Sequence, residues 1–213
     1  MKPAFVLLFS LLAAFLFSCK QSKATPEQDF WKWFNSNEDM LFNFDKDQER
    51  TFDRLGNEMH KLNPSLTFEL GPVENGKREF VISADGIREA FPEVEALYAT
   101  APSLPRWKFI KFRPRRTPMD VDYGGVSVRA ESVTVQLTRS GQVVDLTVFI
   151  PNYSEANRKE YTAVAFLLLD GALGEHDVET RVGQIQVKAV PNPTAQTCSL
   201  AALPKTFDAL FVN

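Results

Sequence analysis

Residues 132–150, SVTVQLTRSGQVVDLTVFI, contain two runs in which apolar and polar residues alternate. The apolar positions of the two runs are Val133, Val135, Leu137, Val144, Leu146, Val148 and Ile150. Ser140 and Gly141 between the runs are typical of a tight turn. Because alternation with a period of two gives a strand one apolar and one polar face, the stretch predicts a β-hairpin.

A second hairpin pattern occurs earlier in the chain. Leu66, Phe68 and Leu70 alternate before the turn residues GPVENGKR, and Phe80 and Ile82 alternate after them. In both places a helical pattern follows the hairpin, and a further strand pattern follows the helix, at 107–112 and at 182–190. The order strand, strand, helix, strand therefore occurs twice, with an offset of roughly 67 residues.

This repeated order predicts the α+β fold class. We expect two strand-strand-helix-strand units, 65–113 and 132–190, that share one antiparallel sheet with the helices packed on one face. The crevice between duplicated halves would be the natural place for a ligand.

Two helices are expected before the first unit, within residues 26–62. Thr25, Pro26 and Gln28 have the spacing of a capping box with proline in the first turn. The first helix would run to about residue 44 with a kink near Ser36, and the second would start at Asp45. Their dense aromatic stripe predicts core packing; the alternative is an exposed surface for a membrane, a ligand or a partner protein.

The domain would thus span 26–190, and residues 191–213 would form a C-terminal tail with a short helix at 205–212. The chain has 2 cysteines, Cys19 and Cys198, so a disulfide framework is excluded. If Cys19 is modified, Cys198 has no partner within the chain.

Residues 1–18 have the organisation of a secretory signal peptide. Lys2 precedes an apolar run, 4–17, that is too short to cross a bilayer. The tetrad Leu16-Phe17-Ser18-Cys19 resembles the lipobox of bacterial lipoproteins. The alternative is an ordinary secretion signal with an incidental cysteine.

The lipobox resemblance implies that Cys19 is lipidated and becomes the first residue of the mature chain. Residues 19–25 would then be the lipidated cysteine and a short polar tether. Lys20 is not the aspartate that retains lipoproteins at the inner membrane in some bacteria. We therefore expect a lipid-anchored protein of the cell envelope, on the periplasmic side of the outer membrane.

Catalytic and cofactor-binding motifs are missing from the sequence. There is no G-x-S-x-G, P-loop, G-x-G-x-x-G or H-E-x-x-H pattern. With 2 histidines and no cysteine cluster, a Cys/His zinc site cannot be assembled. The sequence thus predicts no metal and no cofactor.

One acidic segment is the alternative basis for an enzyme. In LGEHDVET, 173–180, Glu175, His176 and Asp177 could act as general acid and base or bind a divalent ion, with Asp170 as a further acid. That arrangement would suit a hydrolase or a metal-dependent enzyme. The structural interpretation is that the segment only links a helix to a strand, because Val178 and Val182 already alternate.

A basic segment, RWKFIKFRPRR at 106–116, holds six basic residues and no acid. We expect an edge strand whose lysines prevent unwanted pairing. Beyond it, Arg113, Arg115 and Arg116 could bind an anion such as a carboxylate, a phosphate or a lipid headgroup. The expected export and the net charge of −3 argue against nucleic acid as the ligand.

Four stretches resemble an uncharacterised family of bacterial α+β proteins with no assigned activity. They are FWKWFNSNEDMLFNF (30–44), GKREFVISADGI (76–87), PRWKFIKFRPRR (105–116) and LLLDGALGEHDVET (167–180). The resemblance spans about 30–190 and implies no active-site residue.

Together these patterns predict a membrane-anchored, non-enzymatic lipoprotein whose domain binds a ligand or a partner. The ligand would be an anionic small molecule and the partner an envelope protein. The alternatives are the enzyme built on 175–177 and a regulatory protein-interaction module that uses the N-terminal aromatic helices.

Overall fold

The first unit is a three-stranded sheet with a crossover helix. The computed structural model describes residues 23–190 and 196–212. Strands β1 (Thr67–Glu74) and β2 (Lys77–Ser83) pair antiparallel around a turn at Asn75 and Gly76, whose φ angles of 51° and 77° are left-handed. Two further elements complete the unit: helix α4 (Phe91–Ala99) and strand β3 (Trp107–Lys111), which lies parallel to β2 at the sheet edge.

The second unit has the same order and a longer crossover. Its hairpin is β6 (Thr134–Ser140) with β7 (Val143–Phe149). The crossover consists of α5 (Arg158–Leu173) and α6 (Glu175–Arg181), after which β8 (Val182–Lys188) lies parallel to β7. A short strand, β9 (Cys198–Ser199), pairs with β6, which gives the sheet order β8-β7-β6-β9.

Small backbone features recur at equivalent places in the two units. Asp85 and Asn152, which follow the second strand of each unit, have left-handed φ angles of 53° and 61°. A 3₁₀ turn then leads into each helix, at Arg88–Ala90 and at Glu155–Asn157. The offset of about 67 residues expected from the sequence therefore also separates the left-handed residues and the 3₁₀ turns of the two units.

The α+β fold class is confirmed, but two expectations about the sheets are wrong. The units form separate sheets, and in each sheet the third strand is parallel to its neighbour. The parallel pairing follows from the connection, because a helix that crosses over a sheet returns the chain in its original direction. The two hairpins are antiparallel, as predicted.

The N-terminal helices are α1 (Pro26–Ser36), α2 (Glu38–Phe42) and α3 (Gln48–His60). The capping box forms, since the Thr25 hydroxyl accepts from the Gln28 amide at 3.3 Å and the Thr25 amide donates to the Gln28 side chain at 3.1 Å. The expected kink is a full break at Asn37. Helix α3 starts later than predicted because a 3₁₀ turn occupies Phe44–Lys46.

Two hydrophobic cores hold the domain. The first joins the N-terminal helices and α4 to the first sheet, and its aromatic members include Phe30, Trp31, Phe34, Phe80, Phe91 and Trp107. The second joins α5 to the second sheet and to a small hairpin, β4 (Val121–Tyr123) with β5 (Val126–Val128). Within the described ranges, no helix has the length and apolar composition needed to span a membrane.

The folded region extends past the predicted boundary at residue 190. Leu200, Leu203 and Phe207 are buried in the second core, the last two on helix α7 (Leu203–Ala209). Much of the predicted tail is therefore part of the domain. The predicted signal peptide and Cys19 lie outside the described residues.

Candidate functional site

The basic segment passes from one unit to the other. Phe112 follows β3 with a left-handed φ of 61°, and its amide donates to the Ile82 carbonyl at 2.7 Å. A few residues later the Arg116 amide donates to the Gly171 carbonyl on α5 at 2.7 Å. Arg113, Arg115 and Arg116 therefore all lie at the junction between the units.

Glu175 joins the two units through a buried carboxylate. Its side chain is 1% exposed and accepts three backbone N–H groups: from Ala84 at 3.0 Å, Gly86 at 3.1 Å and Arg113 at 3.0 Å. The left-handed turn at Asp85 and Gly86 follows β2. Because charged acceptors make strong hydrogen bonds, this contact holds the start of α6 against the first unit.

Asp177 takes part in a separate ion-pair network. Arg115 donates to Asp177 Oδ2 at 2.6 Å and to both carboxylate oxygens of Asp208 at 2.7 and 2.8 Å. The hydrogen bonds from Arg115 lower the pKa of Asp208. Arg115 was predicted to bind an anion, and it does bind carboxylates, but these belong to this chain's own helices α6 and α7.

His176 lies at the surface and packs on two rings. Its imidazole is 5.1 Å from the ring centre of Phe112 and 5.9 Å from that of Phe91. Glu175, His176 and Asp177 thus have three different environments: a backbone turn, an aromatic surface and an ion-pair network. His176 and Asp177 line one depression of about 320 Å³, but Glu175 is not part of its lining and the Asp177 carboxylate is bound by Arg115. The three side chains therefore do not converge as a catalytic group would require.

The interpretation of 173–180 as a simple link between a helix and a strand is wrong, because most of the segment forms helix α6. Gly174 ends α5 with a φ of 78°, a conformation that side-chain-bearing residues rarely adopt. The chain can then start a new helix at Glu175. The alternation of Val178 and Val182 was misleading because Val178 is a buried helical residue.

A cavity of about 360 Å³ lies between the units, and we call it the interunit cleft. Its walls come from β1, from the turn after β2, from the basic segment and from α5. The lining residues are Glu69, Asp85, Arg113, Pro114, Arg116, Leu167, Asp170 and Gly171. Two of the predicted arginines and the predicted extra acid therefore line one cavity.

Both of these arginines are bonded to carboxylates. Arg113 donates through Nε to Glu69 and through Nη1 to Asp85, each at 2.6 Å. Arg116 donates through Nη2 to Glu79 at 2.7 Å, and Lys108 binds the other oxygen of Glu79 at 2.7 Å. The expected cluster of three arginines around one anion is therefore divided among internal partners.

Asp170 has a different environment from the other acids of the cleft. Burial raises its pKa to about 6, although Arg113 acts in the opposite direction; Glu175 raises it further. Within residues 23–190 and 196–212, the Asp170 carboxyl forms no ion pair. A carboxyl with a raised pKa in a cleft is a frequent feature of functional sites.

Sequence reasoning did not identify Glu69, Glu79 and Asp85 as part of this region. One signal was present, since a segment with six basic residues and no acid needs carboxylates from elsewhere. Glu79 also stands directly before the apolar run Phe80–Ile82 of β2, where an unpaired charge would be costly. The pairing could not be assigned, because the partners are distant in the chain.

A larger cavity, about 490 Å³, lies beside the first turn of α1 and the end of α3. It adjoins Lys23, the first described residue, and contains none of the predicted site residues, so we assign it no ligand. In the described part of the chain, no group of three or more His, Cys, Asp and Glu side chains could hold a metal ion. Burial raises the pKa of the Cys198 thiol, which disfavours a reactive thiolate.

Comparison of the chain with protein-family models, with curated proteins and with solved structures gives no match. The resemblance to an uncharacterised bacterial family therefore stays a prediction from the quoted stretches. The site has to be interpreted from its own geometry.

Proposed function

We propose that the protein is a membrane-anchored bacterial lipoprotein whose domain binds a small polar ligand in the interunit cleft. The observation that carries the binding proposal is a cavity of about 360 Å³ that both units line with charged groups. Ligand sites in proteins have volumes from about 300 Å³ upward and often lie where units meet. The volume and the position of this cleft agree with that description, and its charged lining suits a polar ligand.

The anchoring proposal is supported by the sequence alone. A short apolar run, a lipobox-like tetrad and a polar tether precede the domain, with Cys19 as the modified residue. Two or more acyl chains would make such attachment stable, whereas one would be marginal. The proposed location is the cell envelope, at the periplasmic side of the outer membrane.

We propose binding rather than catalysis because the carboxylates of Glu175 and Asp177 already have partners within the protein. The Glu175 carboxylate is fully used by backbone N–H groups, and Asp177 is held by Arg115. A protein-interaction surface on the N-terminal helices has less support, since Phe30, Trp31 and Phe34 are buried.

A variant that fills the cleft tests the ligand site. Gly171 lies on α5, and no neighbouring atom lies within 4 Å of the position that a Cβ would take there, so Gly171→Leu should occupy cleft volume without breaking the helix. Thr162→Leu is the matched control, because Thr162 is on the same helix and lines a different depression. We would screen small carboxylates, phosphates, amines, amino acids and sugars for thermal stabilisation of the three proteins.

We expect at least one compound to stabilise the wild type and the control but not Gly171→Leu. If every stabilising compound acts equally on all three proteins, or if none acts, the interunit cleft is not the ligand site.

The anchor is tested by intact mass and membrane partition of the wild type beside Cys19→Ala. We expect acyl-chain mass and membrane association for the wild type, and release or lack of processing for the variant. Equal cleavage and equal solubility of both proteins would contradict lipidation at Cys19.

A further inference from the structure

Two groups of charged residues with opposite net charge lie at the interunit cleft. In the first group Arg113 lies between Glu69 and Asp85, which leaves one excess negative charge, and all three residues line the cavity. In the second group Glu79 lies between Lys108 and Arg116, which leaves one excess positive charge, and Arg116 is the member that lines the cavity. The hydrogen bonds from Lys108 and Arg116 lower the pKa of Glu79, so its carboxylate stays ionised and the excess charge of the second group stays at one.

Two residues of the cavity lining, Arg116 and Asp170, retain bonding capacity that a ligand could use. Arg116 uses Nη2 for Glu79, its side chain is 47% exposed, and its Nε and Nη1 make no hydrogen bond with the described residues. Asp170 lies in the same cavity, next to Gly171, whose carbonyl binds the Arg116 amide. Its carboxyl forms no ion pair with a described residue.

We infer that the cleft binds a small zwitterion, a molecule with an ammonium group and a carboxylate on neighbouring atoms, as in a free α-amino acid. The ammonium group would bind Asp170, and the carboxylate would bind the free N–H groups of Arg116. This inference rests on the proposed function, because it assumes that the interunit cleft is a ligand site.

The choice of a zwitterion follows from what each simpler ligand would leave unpaired. An anion alone would bind Arg116 and leave the Asp170 carboxylate without an ion-pair partner, since Arg113 in the same cavity is already paired with Glu69 and Asp85. A cation alone would bind Asp170 and leave the free N–H groups of Arg116 without an acceptor. Only a ligand with both charges pairs with both Asp170 and Arg116.

The rim of the cleft also offers an apolar contact. Leu167 lines the cavity and is 51% exposed, and Phe166 beside it on α5 is 42% exposed. An apolar substituent on the zwitterion would cover part of this surface. Leucine is therefore a suitable probe, with the other standard L-amino acids beside it.

The test uses the full-length protein in detergent micelles and measures binding by calorimetry. The probes are the standard L-amino acids, isocaproate, which keeps the carboxylate of leucine without the ammonium, and isoamylamine, which keeps the ammonium without the carboxylate. We expect an amino acid to bind at least about tenfold more tightly than either half-molecule, since each lost charge contact costs on the order of one factor of ten.

Two variants separate the two contacts. Asp170→Asn should weaken binding of the amino acid and leave that of isocaproate unchanged, whereas Arg116→Gln should weaken binding of the amino acid and leave that of isoamylamine unchanged. Arg129→Gln is the control, because Arg129 is exposed and lies outside the cleft.

The outcomes distinguish this inference from the proposed function. If the screen with Gly171→Leu gives a cleft ligand that is a pure anion or a pure cation, or if a half-molecule binds as tightly as the amino acid, the zwitterion inference is overturned and the proposed function stands. If no probe of any charge type depends on the cleft, both are overturned.

Discussion

At the scale of single residues, the charged side chains of this protein divide into those that hold the fold together and those with remaining bonding capacity. Glu175 belongs to the first kind, since its carboxylate accepts three N–H groups and is 1% exposed. Asp170, only five positions earlier in the sequence, belongs to the second. Both residues are acidic, so residue type alone does not distinguish their roles. The difference is that Glu175 has three backbone N–H donors beside its carboxylate.

Replacement of Glu175 should be costly even when the shape is kept. In Glu175→Gln the amide oxygen can still accept from Ala84 and Gly86, but the amide nitrogen would face the Arg113 N–H, so two donors oppose each other. We expect a loss of about 2 kcal/mol in the free energy of unfolding, the usual cost of a buried unsatisfied donor. Urea unfolding measures it, with exposed Glu131→Gln as the control; equal stability of the two variants would contradict the buried role of Glu175.

The stability of the protein should depend on pH through Asp170. Its pKa rises from 3.8 to about 6 on folding, so between these values the folded state binds more protons than the unfolded state. Stability therefore falls as pH rises through this window. Asp170→Asn removes the charge, so we expect the variant to be more stable than the wild type at neutral pH and the difference to close near pH 4.

The measurement is urea unfolding of both proteins across that pH range. A variant that is less stable than the wild type at neutral pH would mean that the ionised Asp170 carboxylate is stabilising, which contradicts the burial argument.

At the scale of elements, the break between α5 and α6 positions the junction. Gly174 has φ 78° and ψ 150°, and a Cβ there would lie 3.1 Å from the Arg113 carbonyl oxygen and 3.2 Å from the Arg115 nitrogen. The glycine therefore permits both the turn of the chain and the close passage of the basic segment. The amide of Glu175 then donates to the same Arg113 carbonyl at 3.0 Å.

A pair of glycine variants on this crossover tests the argument. Gly174→Ala should destabilise the protein by about 2 kcal/mol or more, because the backbone conformation is unfavourable for a residue with a Cβ. Gly171→Ala, within α5 and with open space around the added atom, should be neutral or stabilising by up to about 1 kcal/mol. Thermal and urea unfolding give both values, and equal effects at the two positions would show that the left-handed conformation of Gly174 is not required.

At the scale of the whole molecule, two cores that share no buried residue are joined by polar contacts around the basic segment. Glu175, the ion pairs of Arg115 and the packing of His176 on Phe112 make up this junction. Such a junction can make the two cores unfold together, but only a few side chains form it. The coupling of the two cores should therefore be sensitive to single substitutions.

Tryptophan fluorescence offers a direct test, because Trp31, Trp33 and Trp107 all belong to the first core or pack against it. For the wild type we expect the urea transitions followed by tryptophan fluorescence and by far-UV circular dichroism to coincide. In Glu175→Ala, which leaves three backbone donors without their acceptor, the two transitions should separate. Coincident transitions in the variant would mean that the cores remain coupled without Glu175.

Local sequence patterns determined the fold class of this protein and its main elements. The hairpins, the capping box at Thr25 and the core role of the aromatic helices follow from alternation, helical spacing and turn residues, which act over a few neighbouring positions. Helix α6 was missed because its short apolar pattern fits a strand as well as a helix, and only the left-handed Gly174 separates the two.

The tertiary structure decided what surrounds each charged side chain. Glu175 accepts from the amide of Ala84, and Arg115 donates to Asp208; in each pair the two residues are far apart in the sequence. The pairing of Arg116 with Glu79 and the separation into two sheets also leave no local sequence signal. The physical reason is that the role of a charge depends on its partners and its burial, and these are fixed only when distant segments pack together.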